Sequence, residues 1–148
     1  MLNFFERLED GEKVKIEVES EIERYRDNPW LLSIFLHLDS SDTKADNYLE
    51  FLRLKGSLII SLEDEDRTGY IGSRTVNGWT EFYFYSKNND GIKERGGDTL
   101  QFEPYDYESH VEKDSEWSFY HRKLEPTPEE AKQIALKKQR AKEINTDD

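Results

Sequence analysis

The chain has 148 residues, 33 acidic and 21 basic, for a formal charge of −12, with 34% hydrophobic and 13% aromatic residues. That length suits a single domain with a core of its own, and the aromatic content opposes disorder despite the high charge. The absence of cysteine excludes a disulfide framework, thiolate zinc sites and a cysteine nucleophile, and no apolar run approaches the roughly 18 residues needed to cross a bilayer. Met1–Asp10 lacks the basic and apolar regions of a secretory signal, so the expectation is a cytoplasmic protein with no membrane contact.

Residues 3–19 form two short runs around Asp10-Gly11, with Val14, Ile16 and Val18 alternating against Lys15 and Glu17. Alternation of this kind predicts a half-buried strand, and Asp-Gly favours a hairpin turn. After Asn28-Pro29, the dense apolar run Trp30–Leu38 predicts a central strand bounded by Asp39–Asp42. From Thr43 the period changes to three and four residues (Tyr48, Leu49, Leu52, Leu58, Leu62), which predicts an amphipathic helix, with a break possible at Gly56. The acid run Glu63–Asp66 ends it in a solvated loop. Gly69–Tyr85 then gives two β-rich runs joined by Asn77-Gly78. Gly91, Gly96 and Gly97 predict a loop with at most a short helix over 88–104. Tyr105–Glu112 predicts a further strand, and Glu116–Leu124 an anchored aromatic segment. Thr127-Pro128-Glu129-Glu130 has the pattern of a capping box and opens a helix to about Ile144. The chain therefore divides into an α+β domain over 1–126 and a C-terminal helix over 127–148.

A two-residue Asn-Gly loop sets the register of its hairpin. Continued without interruption, it places Arg74 opposite Glu81, Gly72 opposite Tyr83, Ile71 opposite Phe84 and Tyr70 opposite Tyr85. One face then carries Ile71, Phe82 and Phe84 and meets the helix. The other carries Tyr70, Trp79, Tyr83 and Tyr85 around the Arg74–Glu81 pair. These six residues are the candidate partner-binding site: an aromatic platform that could stack single-stranded RNA, or a second core covered by the N-terminal hairpin or by the Trp117–Tyr120 segment.

His37, His110 and His121 have no metal-ligand spacing, no nucleophile elbow or phosphate loop is present, and no cofactor is implied. The expectation is a chain that is not an enzyme. Charge is segregated: residues 127–148 hold five bases and five acids, so the whole −12 lies in 1–126. An acidic body repels phosphate backbones, which disfavours nucleic acid and favours a basic protein as partner.

The succession Pro29–Ile34, Gly69–Tyr85, Tyr105-Asp106-Tyr107 and Glu116–Tyr120 with Leu124-Glu-Pro-Thr-Pro resembles a bacterial family of uncharacterised domains, domain of unknown function 695. That family is similar in turn to the RraB-type regulators that inhibit ribonuclease E. The resemblance implies a ferredoxin-like α+β sandwich, with helices on one face of an antiparallel sheet, and a protein-binding regulatory role without catalytic residues. A regular second helix is expected in the family where this chain has the glycines of 88–104. The functional expectation is a protein-binding regulator of a nuclease or other basic partner. The alternatives are RNA binding on the aromatic face and a toxin-immunity role.

Overall fold

Leu2–Glu9 (β1), Glu12–Glu19 (β2), Trp30–Leu36 (β3), Thr68–Val76 (β4), Trp79–Ser86 (β5) and Tyr107–Lys113 (β6) pair into one sheet in the order β1-β2-β4-β5-β3-β6. Every neighbouring pair is antiparallel. The helices are Ala45–Leu62 (α1), Ile92–Leu100 (α2) and Pro128–Thr146 (α3). This computed structural model describes residues 1–38, 45–63 and 67–146, with side chains at 1–38, 47–63 and 67–143. The run β3-α1-β4-β5-α2-β6 is the split βαβ arrangement of ferredoxin-like folds, and the β1–β2 hairpin extends the sheet beyond β4. The fold is α+β with an N-terminal hairpin and a C-terminal helix. The expected loop at Asp39–Asp42, the helix start at Thr43 and most of the exit at Glu63–Asp66 lie outside the described residues.

Both hairpin turns take the conformation their residues favour. Asp10 and Gly11 have φ of 52° and 80°, and Asn77 and Gly78 have 51° and 81°, the paired left-handed values of a type I′ turn. Helix α1 runs unbroken through Gly56. Its buried stripe is Phe51, Leu54, Lys55, Leu58 and Leu62, whereas Tyr48, Leu49 and Leu52 are exposed. The expected face was therefore partly displaced. Two stripes of helical spacing compete here, and the true one was masked by the lysine inside it. Glycine does not prevent α2 either. A Cβ at position 96 would lie 3.2 Å from Ile34 Cδ1, so Gly96 lets the helix approach the sheet.

The Asn77-Gly78 register holds from Val76 opposite Trp79 to Gly72 opposite Tyr83, and then a bulge at Ile71 shifts it so that Tyr70 pairs with Phe84. One extra residue moves the rest of the strand to the other face. Tyr70, not Ile71, joins Phe82 and Phe84 beneath α1 and α2, in a core with Leu32, Ile34 and Leu36. Ile71 instead joins Tyr83 and Tyr85 in the second core. Helical cover is correspondingly not confined to one face. A wide helical turn over Tyr120–Leu124 closes on the second face, with Glu125 N–H donating to Tyr120 O at 2.8 Å, and α3 adds Ile134.

Trp117 anchors this second core. Its indole stacks on Tyr85 with ring centroids 4.1 Å apart, donates to Asn28 O at 2.9 Å and lies 5.1 Å beneath the Arg26 guanidinium. Removing a buried ring of this size costs about 3–5 kcal/mol. Chemical denaturation of Trp117→Ala should show a loss in that range. Ile60→Ala, at a residue 84% exposed, should stay within about 0.5 kcal/mol of the parent.

Candidate functional site

The six expected site residues do not form one open surface. Tyr83 and Tyr85 are buried, the first against Phe119 at a centroid distance of 4.5 Å and the second under Trp117. Tyr70 is buried on the opposite face because of the bulge. Trp79 alone is substantially exposed, beside His37 at 5.0 Å. A nucleobase would have to displace the Trp117–Leu124 segment to reach the rings of Tyr83 and Tyr85, and would still not reach Tyr70. The side chains that close the face, Trp117 and Phe119, stand in the second of the two segments expected to cover it, and the N-terminal hairpin instead extends the sheet beside it.

Arg74 and Glu81 are the polar hub of that closed face. The Arg74 guanidinium, 6% exposed, bonds Glu9 through Nη1 (3.2 Å) and Nη2, meets Glu81 at 3.3 Å and donates to Lys123 O at 3.0 Å. Burial disfavours its charge, but Glu9 and Glu81 outweigh that and hold its pKa above the ordinary value. The Tyr83 hydroxyl donates to Glu81, and burial together with that carboxylate raises the phenol far above its usual range. A second fork on β1 repeats the device. Arg7 bonds both Glu130 oxygens, at 2.7 and 3.2 Å, and donates to the carbonyls of Arg122 and Glu125. The capping box at the start of α3 forms as its pattern predicts, with Glu130 N–H to Thr127 Oγ1 at 3.1 Å and Thr127 N–H to Glu130 Oε1 at 2.9 Å. Glu130 thus serves a cap and an ion pair together. Arg74, held by Glu9 and Glu81, ties Lys123 to the sheet, and Arg7 ties Arg122, Glu125 and Glu130.

Sequence reasoning missed a second charged cluster, on the α1 side. Glu17, 4% exposed, accepts from Lys55 Nζ at 2.8 Å and from the Tyr70 hydroxyl at 2.6 Å, with the Ser73 hydroxyl at 3.5 Å. Burial, and then the Glu17 carboxylate, pushes the Tyr70 phenol well above its ordinary value. The cluster lies between two clefts. One, of about 190 Å³, is lined by Phe4, Tyr48, Phe51, Glu17 and Lys15; the other, of about 290 Å³, by Ile59, Tyr70, Lys55 and Glu63. The available signal was Lys55 within the Phe51–Leu62 stripe, where an unpaired ammonium could not be buried.

Other acids are spread over the surface, at Glu6, Glu12, Glu21, Asp27, Asp90 and Glu94 among others, and a dense group of them stands around β6. Between Glu103 and Glu116 six carboxylates stand against Lys113 as the one permanent cation. Glu103 is tied to Arg53 at 2.7 Å and Asp114 to the Tyr85 hydroxyl at 2.7 Å, while the Glu108 side chain is 71% exposed. Among the described residues no group of three or more histidine or carboxylate side chains is arranged to hold a metal, and no helix is long and apolar enough to cross a membrane.

A family model described as "Family of unknown function (DUF695)" matches residues 39–124, from α1 through the Tyr120–Leu124 turn. No curated protein matches the chain.

The ion pairs make two predictions. Hydrogen bonds from Arg74 hold the Glu9 carboxyl below the ordinary 4.5, and at Glu130 burial is outweighed by Arg7 and the Thr127 amide with the same result. Each carboxyl therefore contributes stability that is complete above that value and is lost as pH falls through its lower folded pKa. Melting temperature followed from about pH 7 to about pH 3 should fall more steeply for the parent than for Glu9→Gln/Glu130→Gln, and parallel curves would contradict this. At the buried cluster, Lys55→Met leaves Glu17 uncompensated and should cost about 3–5 kcal/mol by denaturant titration. Adding Glu17→Gln should recover much of that loss.

Proposed function

The chain belongs to the DUF695 family of unknown function, and on that premise we propose that it is a non-enzymatic binding domain that regulates a basic protein partner. The observation that carries this reading is where the charge lies on the closed fold. Both sheet faces are covered, and Glu9, Glu17, Glu81 and Glu130 are engaged internally. The acids around β6 instead include Glu108, Glu112 and Glu116, which are exposed on one rim. A rim in which acids outnumber the one lysine attracts oppositely charged partners and repels phosphate backbones. A nuclease or another basic protein fits that chemistry, as would a basic toxin.

Affinity capture with the tagged full-length chain, at about 0.1 M and about 1 M salt, tests the reading, because screening shortens from ~10 Å to ~3 Å across that range. The expected result is a defined basic protein retained at low salt, released at high salt and lost with Glu108→Lys/Glu112→Lys. Retention of no salt-sensitive protein would count against a partner-binding role.

A further inference from the structure

Among the described residues β6 pairs with β3 and with no other strand, so one side of its backbone is open. Which groups face outward follows from the ladder. His37 N–H donates to Asp106 O at 3.0 Å, and Asp114 N–H to Pro29 O at 2.6 Å. In an antiparallel pair the hydrogen-bonded positions alternate. With the register pairing Trp30 to Lys113 and Leu36 to Tyr107, Glu108, His110 and Glu112 turn their backbone groups inward. Tyr107, Ser109, Val111 and Lys113 turn theirs outward.

The side chains of the same strand divide the other way. Tyr107, Ser109 and Val111 stand on the α2 side, where Val111 packs against the Leu32–Ile34 core. Glu108, His110 and Glu112 stand on the opposite side, with His110 against Phe35 at 5.6 Å. An outward ladder thus runs beside a row carrying two glutamates four residues apart.

Edge strands are ordinarily protected by charge against pairing with their own kind, and this one is. In the fully overlapped antiparallel register of two β6 strands, Glu108 would face Glu112 of the second copy, and like charges directly opposite one another are unfavourable. The same row favours a strand with basic residues at alternate positions. The other edge strand, β1, has α3 packed on the face that carries Asn3, Phe5 and Arg7, with Lys138 Nζ bonding Asn3 Oδ1 at 2.7 Å and Arg7 bonding Glu130.

We propose that β6 is a docking strand, taking an extended basic segment of a partner protein as a seventh strand, with alternate Lys or Arg side chains opposite Glu108 and Glu112 and β-branched residues between them. Backbone pairing supplies affinity in this mode, and the alternating side chains supply selection. The proposal rests on the reading of the chain as a binder of basic proteins and adds the place and geometry of contact.

The test uses the full chain and a capped peptide of about eight alternating Lys and Val residues, a typical strand length, with a block-ordered peptide of the same composition as control. Amide exchange followed by NMR should show new protection at Tyr107, Ser109, Val111 and Lys113 with the alternating peptide, and not with the control. Ser109→Pro removes an outward N–H and leaves the β3 ladder intact. It should weaken peptide binding by about tenfold or more while circular dichroism and melting temperature stay near parental. Protection elsewhere, equal binding of both peptides, or undiminished binding by a folded Ser109→Pro overturns strand addition. So does protection of these four amides in the chain alone as it associates at rising concentration, which would assign the edge to a second copy. A natural partner captured equally by parent and Ser109→Pro but lost with Glu108→Lys/Glu112→Lys would leave the basic-partner reading standing and overturn the docking strand.

Discussion

The stack of Trp117 on Tyr85 is the contact on which the second half of this structure depends. A sheet whose two faces are both apolar must cover both, and α1 and α2 reach only one. Trp117 closes the other at the cost of a left-handed backbone, with φ of 57°, a conformation that costs a non-glycine residue about 1–2 kcal/mol. The surroundings hold it there. Asp114 accepts the Ser118 and Phe119 amides at 2.9 and 3.0 Å while taking the Tyr85 hydroxyl, so one carboxylate organises both the turn and the ring beneath it. Phe119, Tyr120 and Leu124 then fall onto Tyr83 and its neighbours.

The acids of this chain are not one uniform surface charge. Glu9, Glu81 and Glu130 act as tethers for two arginine forks, and Glu17 makes a buried lysine tolerable beneath α1. Buried charge pairs contribute little net stability against apolar packing, but an incomplete pair is costly, so they penalise wrong arrangements. Arg74 illustrates this: four acceptors on β1, β5 and the Lys123 carbonyl meet it only when hairpin, sheet and C-terminal turn are together. Internal use of these acids leaves the β6 rim as a place where acids can act on something outside.

Local rules carried the sequence reading wherever local chemistry decided the outcome. The turns at Asp10-Gly11 and Asn77-Gly78, the Thr127/Glu130 cap and the apolar run of β3 all have short-range causes, and each is found where its residues indicate. The departures arise where tertiary contacts override them. Nothing local signals that Ile71 bulges, yet that residue decides which of two aromatic sets Tyr70 joins. Gly96 reads as a helix breaker until the nearness of Ile34 is known. Lys55 conceals the buried stripe of α1 because its partner lies on a strand distant in sequence. At the candidate site Arg74, Glu81 and Tyr83 converge as a closed hub, Tyr85 is buried apart from it under Trp117, and the burial agrees with the covered core rather than the open platform of the two expectations.

The late position of Trp117 also bears on how the chain is made. Tyr83 and Tyr85 leave the ribosome well before the segment that covers them, and synthesis proceeds at about 5–20 residues per second. For roughly 2–8 s the hairpin has its aromatic face uncovered while the forty or so residues through Leu124 are added. The Arg74 fork cannot close in that interval, since its Lys123 acceptor does not yet exist. The nascent chain therefore passes through a stage in which an apolar surface, absent from the finished protein, is open to chaperones and to neighbouring chains.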